Sequence, residues 1–155
     1  MAALAYLLTW TCHGTWLPGD ERGWVDHEHN EFGTPINAPD AKVERASRDR
    51  SESDARVLDD DARRVVAHAV RDHCEHARWK LLALNVRTNH VHCVVSNEGS
   101  RPEIVMAQLK SWATRRLREA GLRGRERVWT REGSTRHLFD QRSLALAVDY
   151  VNDRQ

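Results

Sequence analysis

From Leu58 to Ala120 the apolar residues change their period twice, from helical to alternating and back, and few folds satisfy that order. Leu58, Ala62, Val65, Val66, Ala69, Val70 and His73 recur at helical spacing, and Asp59, Asp60 and Asp61 stand where a helix's positive pole favours carboxylates. This predicts a helix over Asp59–Ala77. Trp79–Val86 then reads as a strand, Arg87-Thr88-Asn89 as a short link and His90–Ser96 as a second strand, which together make a hairpin. Pro102 can open a second helix, whose stripe of Val105, Leu109, Trp112, Ala113, Leu117 and Ala120 stops at Gly121.

The flanks extend this frame. Tyr6–Cys12 is rich in β-branched and aromatic residues and reads as a first, buried strand. Val128-Trp129-Thr130, a turn containing Gly133 and the run Thr135–Phe139 suggest a last strand or irregular hairpin. Beginning near Asp140, Leu144, Ala147, Val148 and Val151 fall at helical spacing in a third helix that carries Tyr150 and reaches the chain end. The expected fold is α+β: a ferredoxin-like, split βαβ antiparallel sheet with two helices on one face and an extra C-terminal helix carrying the tyrosine. A chain of 155 residues suits one domain over 1–155. Inside it, about 13–57 reads as a long loop insertion, punctuated by Pro18-Gly19 and by Pro35 to Pro39, with Trp16 and Trp24 arguing that its first part packs.

With 40% hydrophobic and 30% charged residues, the composition is that of a globular protein and excludes disordered and fibrous classes. No apolar stretch approaches the roughly 20 residues of a membrane span, and the N-terminus lacks the layout of a signal peptide, so a cytoplasmic protein without membrane contact is expected. A net charge of +1 gives no bulk argument for nucleic-acid binding. Distribution says more, because Lys and Arg outnumber Glu between Arg101 and Arg136. Cys12, Cys74 and Cys93 form no CxxC pair and read as buried small hydrophobes, which counts against a structural zinc module.

Asn89-His90-Val91-His92 carries most of the chemistry. Two histidines separated by one residue on a strand point to the same face, with Val91 turned to the other. Such a pair can share one divalent ion, whereas two histidines packed in an apolar core would each need a hydrogen-bond partner. Spacing alone leaves both readings open, and a chain with nine histidines repeats the pattern at His27-Glu28-His29, where no flanking strand fixes the geometry and solvation is expected. Tyr150 follows the apolar run LALAV but lies off its centre, so its hydroxyl is expected at the margin of the core. On helix two, Lys110, Trp112, Arg115 and Arg116 offer cations and a stacking surface for single-stranded DNA, or equally a solvated basic face over a packed tryptophan.

TWTCHGTWLPGDERGWV, NHVHCVV, LKSWATRRL and REGSTRHLF followed by DYVNDRQ together resemble the HUH-type small tyrosine transposases of insertion sequences, including their REP-associated relatives. The resemblance spans nearly the whole chain. It implies the ferredoxin-like fold, Mg²⁺ or Mn²⁺ held by His90 and His92, and a single-stranded DNA substrate carrying a hairpin. It further implies that Tyr150 attacks a DNA phosphate and keeps the 5′ end as a phosphotyrosine. The family's third, polar metal ligand follows the tyrosine by about one turn. Four positions on stands Arg154, and the candidates are Gln155, favoured by the YVNDRQ ending, and Asp153, nearer the tyrosine face of an ideal helix. The resemblance also makes a homodimer possible and leaves a monomer open. A nucleic-acid-binding or regulatory protein that keeps the fold without catalysis is the alternative function.

Overall fold

The computed structural model describes residues 2–14, 56–96, 99–124 and 126–153. Nearly all of the expected insertion, with Trp16, Trp24 and the His27-Glu28-His29 triplet, lies outside the described residues, as does Gln155. Strand β1 is Ala5–Cys12, helix α1 Asp60–Ala77, β2 Lys80–Val86, β3 His90–Ser96, α2 Pro102–Glu119, β4 Trp129–Leu138 and α3 Gln141–Asp153. The four strands form one sheet in the order β2-β3-β1-β4, with every neighbouring pair antiparallel. This is the α+β, split βαβ arrangement expected from the period changes.

Local chemistry sets the helix ends. The Asp59 carboxylate accepts the Ala62 amide at 2.8 Å, a cap worth about 1 kcal/mol, so the helix starts one residue later than periodicity alone suggests. At the other end Arg78 takes the left-handed conformation at φ 62°, and the Trp79 amide reaches back to the Cys74 carbonyl. Trp79 therefore belongs to the helix cap, and β2 begins at Lys80. Asp140 accepts the Ser143 amide at 2.7 Å and so starts α3.

Alternation along the strands divides the interior in two. Leu8, Trp10, Cys12, Val91, Cys93 and Val95 face α1 and α2 and pack with Val66, Val70, Leu109, Ala113 and Leu117 in the larger core. Trp10 meets Trp129 edge-to-face with centroids 6.1 Å apart. On the opposite face, Ala5, Leu7, Ala83, Val94 and Leu138 pack against Ala147 and Val151 of α3 in a smaller one. Cys12, Cys74 and Cys93 are buried free thiols, as expected.

One expectation fails at the last strand. Gly133 is not in a turn; it pairs with Trp10 in the middle of a continuous β4. A Cβ there would stand 2.5 Å from the Thr9 carbonyl oxygen and 2.8 Å from Met106 Sδ, so glycine is needed for close approach. Gly133→Ala is expected to cost about 1–3 kcal/mol of stability at unchanged denaturant sensitivity. Urea unfolding checks this, and a midpoint equal to wild type would mean that β4 moves aside freely.

Candidate active site

The β1–β3 register sets Thr9 opposite His92 and Thr11 opposite His90, which puts both imidazoles on the face covered by α3. Val91 points to the larger core, as its place between them requires. The two rings lie edge-to-face with centroids 5.1 Å apart. On α3, Ala147 and Val151 point down onto the sheet, and Tyr150 comes out on their flank, 40% exposed. Its ring meets the His92 ring edge-to-face at 5.6 Å. Asn85, paired with His92 from β2, donates its side-chain amide to the Val151 carbonyl at 3.1 Å and so ties the helix to the sheet beside this trio.

The two histidines differ in surroundings. His90 is half-buried, and its Nδ1 lies 2.8 Å from the Asn89 side-chain oxygen. His92 is 2% exposed, and its Nε2 has no hydrogen-bond partner among the described residues. Burial, reinforced by His90 and Arg87, pushes its proton affinity down to about 4, so the imidazole is neutral at pH 7. A buried, neutral imidazole with an unpartnered nitrogen is the state in which histidine accepts a metal ion. Asp153 is exposed on the last turn of α3, and no group of three or more His, Cys, Asp or Glu gathers at one point among the described residues.

Tyr6, the other tyrosine, donates its hydroxyl to the Ser100 carbonyl at 3.1 Å and packs against the larger core. Tyr150 is thus the phenol that meets His92 of the histidine pair. Lys110, Trp112, Arg115 and Arg116 are not brought together with them, because α2 covers the other face of the sheet. Lys110 Nζ donates to the carbonyls of Thr130 and Arg131 at 2.8 and 3.2 Å, and burial lowers its proton affinity. Arg116 pairs with Asp72 at 2.8 Å and Arg115 with Glu119 at 3.2 Å, while both guanidiniums lie over the Trp112 ring. Trp112, His73 and Trp79 form one aromatic group at the helical surface.

The segment from residue 50 to 153 matches the family model described as "Transposase IS200 like". The chain belongs to the IS200-like transposase family. Solved transposases agree in fold. A REP-associated tyrosine transposase, solved bound to a REP hairpin, superposes with a TM-score of 0.58 at 11% identity, over 99% of this chain and 67% of that one. A transposase candidate from Deinococcus radiodurans R1 gives a TM-score of 0.55 at 15% identity, over 100% and 93%. No curated protein matches. No helix among the described residues of this transposase is long and apolar enough to cross a membrane.

Sequence reading did not single out Arg136, which stands on β4 two residues beyond Ser134, the partner of Thr9, and faces the same side as His92. It is 9% exposed. Reading Gly133 as a turn broke the alternation that would have put Arg136 on this face.

The state of His92 makes stability depend on pH. As pH falls through 6.5 the unfolded chain takes up a proton that the folded protein refuses until about 4. Stability is therefore full above that window and falls within it, by about 3 kcal/mol at most. In EDTA, the denaturation midpoint is expected to drop between neutral pH and the acid end of the window, and His92→Gln should flatten that slope. An identical slope in the variant would assign the titration elsewhere.

Proposed function

We propose that this transposase is a divalent-metal-dependent endonuclease and strand transferase for single-stranded DNA, acting through a 5′-phosphotyrosine at Tyr150. The observation that carries the reading is the contact of the Tyr150 ring with His92, a buried imidazole whose Nε2 has no partner among the described residues. His90 and His92 would hold the metal, with the third ligand drawn from Gln155 or Asp153. Nitrogen donors favour Mn²⁺ over Mg²⁺ in affinity, while cellular abundance favours Mg²⁺. When bound, the ion supplies Lewis acidity toward the scissile phosphate and the leaving oxygen.

The protein's own groups do the rest. Tyr150 Oη attacks phosphorus, the bond to the 3′ oxygen breaks, the phenol proton is lost and the departing 3′ oxygen gains one. One phosphodiester replaces another, so a later 3′ hydroxyl can reverse the step without ATP. Exposure of Tyr150 lets a DNA strand reach it, and its neighbours on α3 hold the helix against the sheet while it reacts. The hairpin in the related solved complex supports a hairpin-bearing strand as substrate. Lys110, Trp112, Arg115 and Arg116 lie on the far side of the sheet, engaged with Thr130, Glu119 and Asp72, and would serve as a DNA contact remote from the reacting phosphate. The family resemblance implies a homodimer, and a concentration-independent monomer mass in light scattering would count against it.

Incubation with random-sequence single-stranded oligonucleotides and Mn²⁺ tests the chemistry. Wild type is expected to form a covalent protein–DNA adduct; Tyr150→Phe should form none and keep its affinity within about twofold, since binding rests on phosphate neutralisation and stacking. His90→Ala should weaken Mn²⁺ binding by about tenfold or more in calorimetry. An adduct formed by the Phe variant would overturn the assignment of Tyr150.

A further inference from the structure

Arg136 is a guanidinium on the face of the sheet that α3 covers, set among apolar neighbours of the smaller core. On β4 it pairs with Leu7, and its same-strand neighbour on that face is Leu138; both leucines are buried in the smaller core. One register step away, Thr9 is flanked by His92 on one side and Ser134 on the other, so Arg136 adjoins the histidine pair across a single strand. Its environment includes Tyr150: burial lowers the proton affinity of the guanidinium, and the phenol works against that effect. Tyr150 meets His92 on this same face, so a cation from β4 and a hydroxyl from α3 lie on one side of the sheet, with β1 alone between the strands that carry Arg136 and His92.

We propose that Arg136 binds the phosphate group that Tyr150 attacks, its guanidinium donating to the non-bridging oxygens from β4, on the same face of the sheet as the histidine pair and one strand away from it. This rests on the reading of Tyr150 as nucleophile. Attack at phosphorus gathers negative charge on those oxygens, and a planar, always protonated fork of donors stabilises two of them at once. Partial burial strengthens the effect, because a fixed charge shielded from water needs no reorganisation as the reaction proceeds. The strand backbone, not a flexible loop, carries the guanidinium, which fixes the phosphate relative to Tyr150.

Two measurements on wild type, Arg136→Gln and Arg136→Lys test this, each variant first shown to melt cooperatively. In EDTA, affinity for random-sequence single-stranded oligonucleotides is followed against salt. Removing one phosphate-neutralising charge should lower the slope of log K on log salt by about 0.7 in the Gln variant and leave it unchanged in the Lys variant. With Mn²⁺, adduct formation should fall about a hundredfold for Gln, and Lys should recover part of it by restoring the charge without the fork. If Arg136→Gln does not fold, Arg136→Met, which keeps the apolar stem, is expected to show the same loss of slope. A folded Gln or Met variant with the wild-type slope would overturn the proposal. A changed slope, in a protein whose wild type forms no adduct, would support the phosphate contact and remove only the Tyr150 reading.

Discussion

Everything at this site depends on the antiparallel pairing of β1 with β3, because that pairing decides which side chains of both strands share a face. With Thr9 opposite His92, the odd residues of β1 and the even residues of β3 turn toward α3, and their neighbours turn toward α1 and α2. A slip of one residue would exchange the two sets and bury the histidines in the larger core. The register is held because Leu8, Trp10, Val91, Cys93 and Val95 are all needed on the helical side. Packing on one face thereby fixes chemistry on the other.

The fold was legible because its signal is periodic. The change from helical spacing at Leu58–His73 to alternation at His90–Ser96 and back at Val105–Leu117 fixes element type and order, and connection rules then leave few topologies. The histidine pair was legible for the same reason, since alternation puts His90 and His92 together whatever surrounds them. Tyr150 was placed on the flank of α3 by its offset from Ala147 and Val151. What periodicity could not supply was distance across the sheet. Gly133 carries no side chain to mark a face, and its role as a gap for Met106 and the Thr9 carbonyl depends on helix-to-strand spacing that no local pattern encodes. Arg136 was missed with it.

The helix-two residues teach a different lesson. Lys110, Arg115 and Arg116 look like a free basic face in one dimension, yet their charges are engaged: with strand carbonyls, with Glu119 and with Asp72. The partly exposed ion pairs contribute little to stability, about 0–1 kcal/mol each. Their effect is to pair the charges of Arg115 and Arg116 with carboxylates, so those two guanidiniums add less to the field of that face than their number suggests.

Because the sheet separates two cores of unequal size, the molecule has two levels of order. α3 is 13 residues long and buries only Ala147 and Val151 fully, with Leu144 and Val148 in support, whereas α1 and α2 share an extensive apolar interior. Detachment of α3 would uncover Leu7, Val94 and Leu138 without disturbing the packing on the far side. Such a local opening requires less free energy than global unfolding. Tyr150 would leave His92 in that event, and on the function proposed above a protein with nearly all of its secondary structure intact would be chemically silent. For this architecture, thermal inactivation is expected to precede thermal melting.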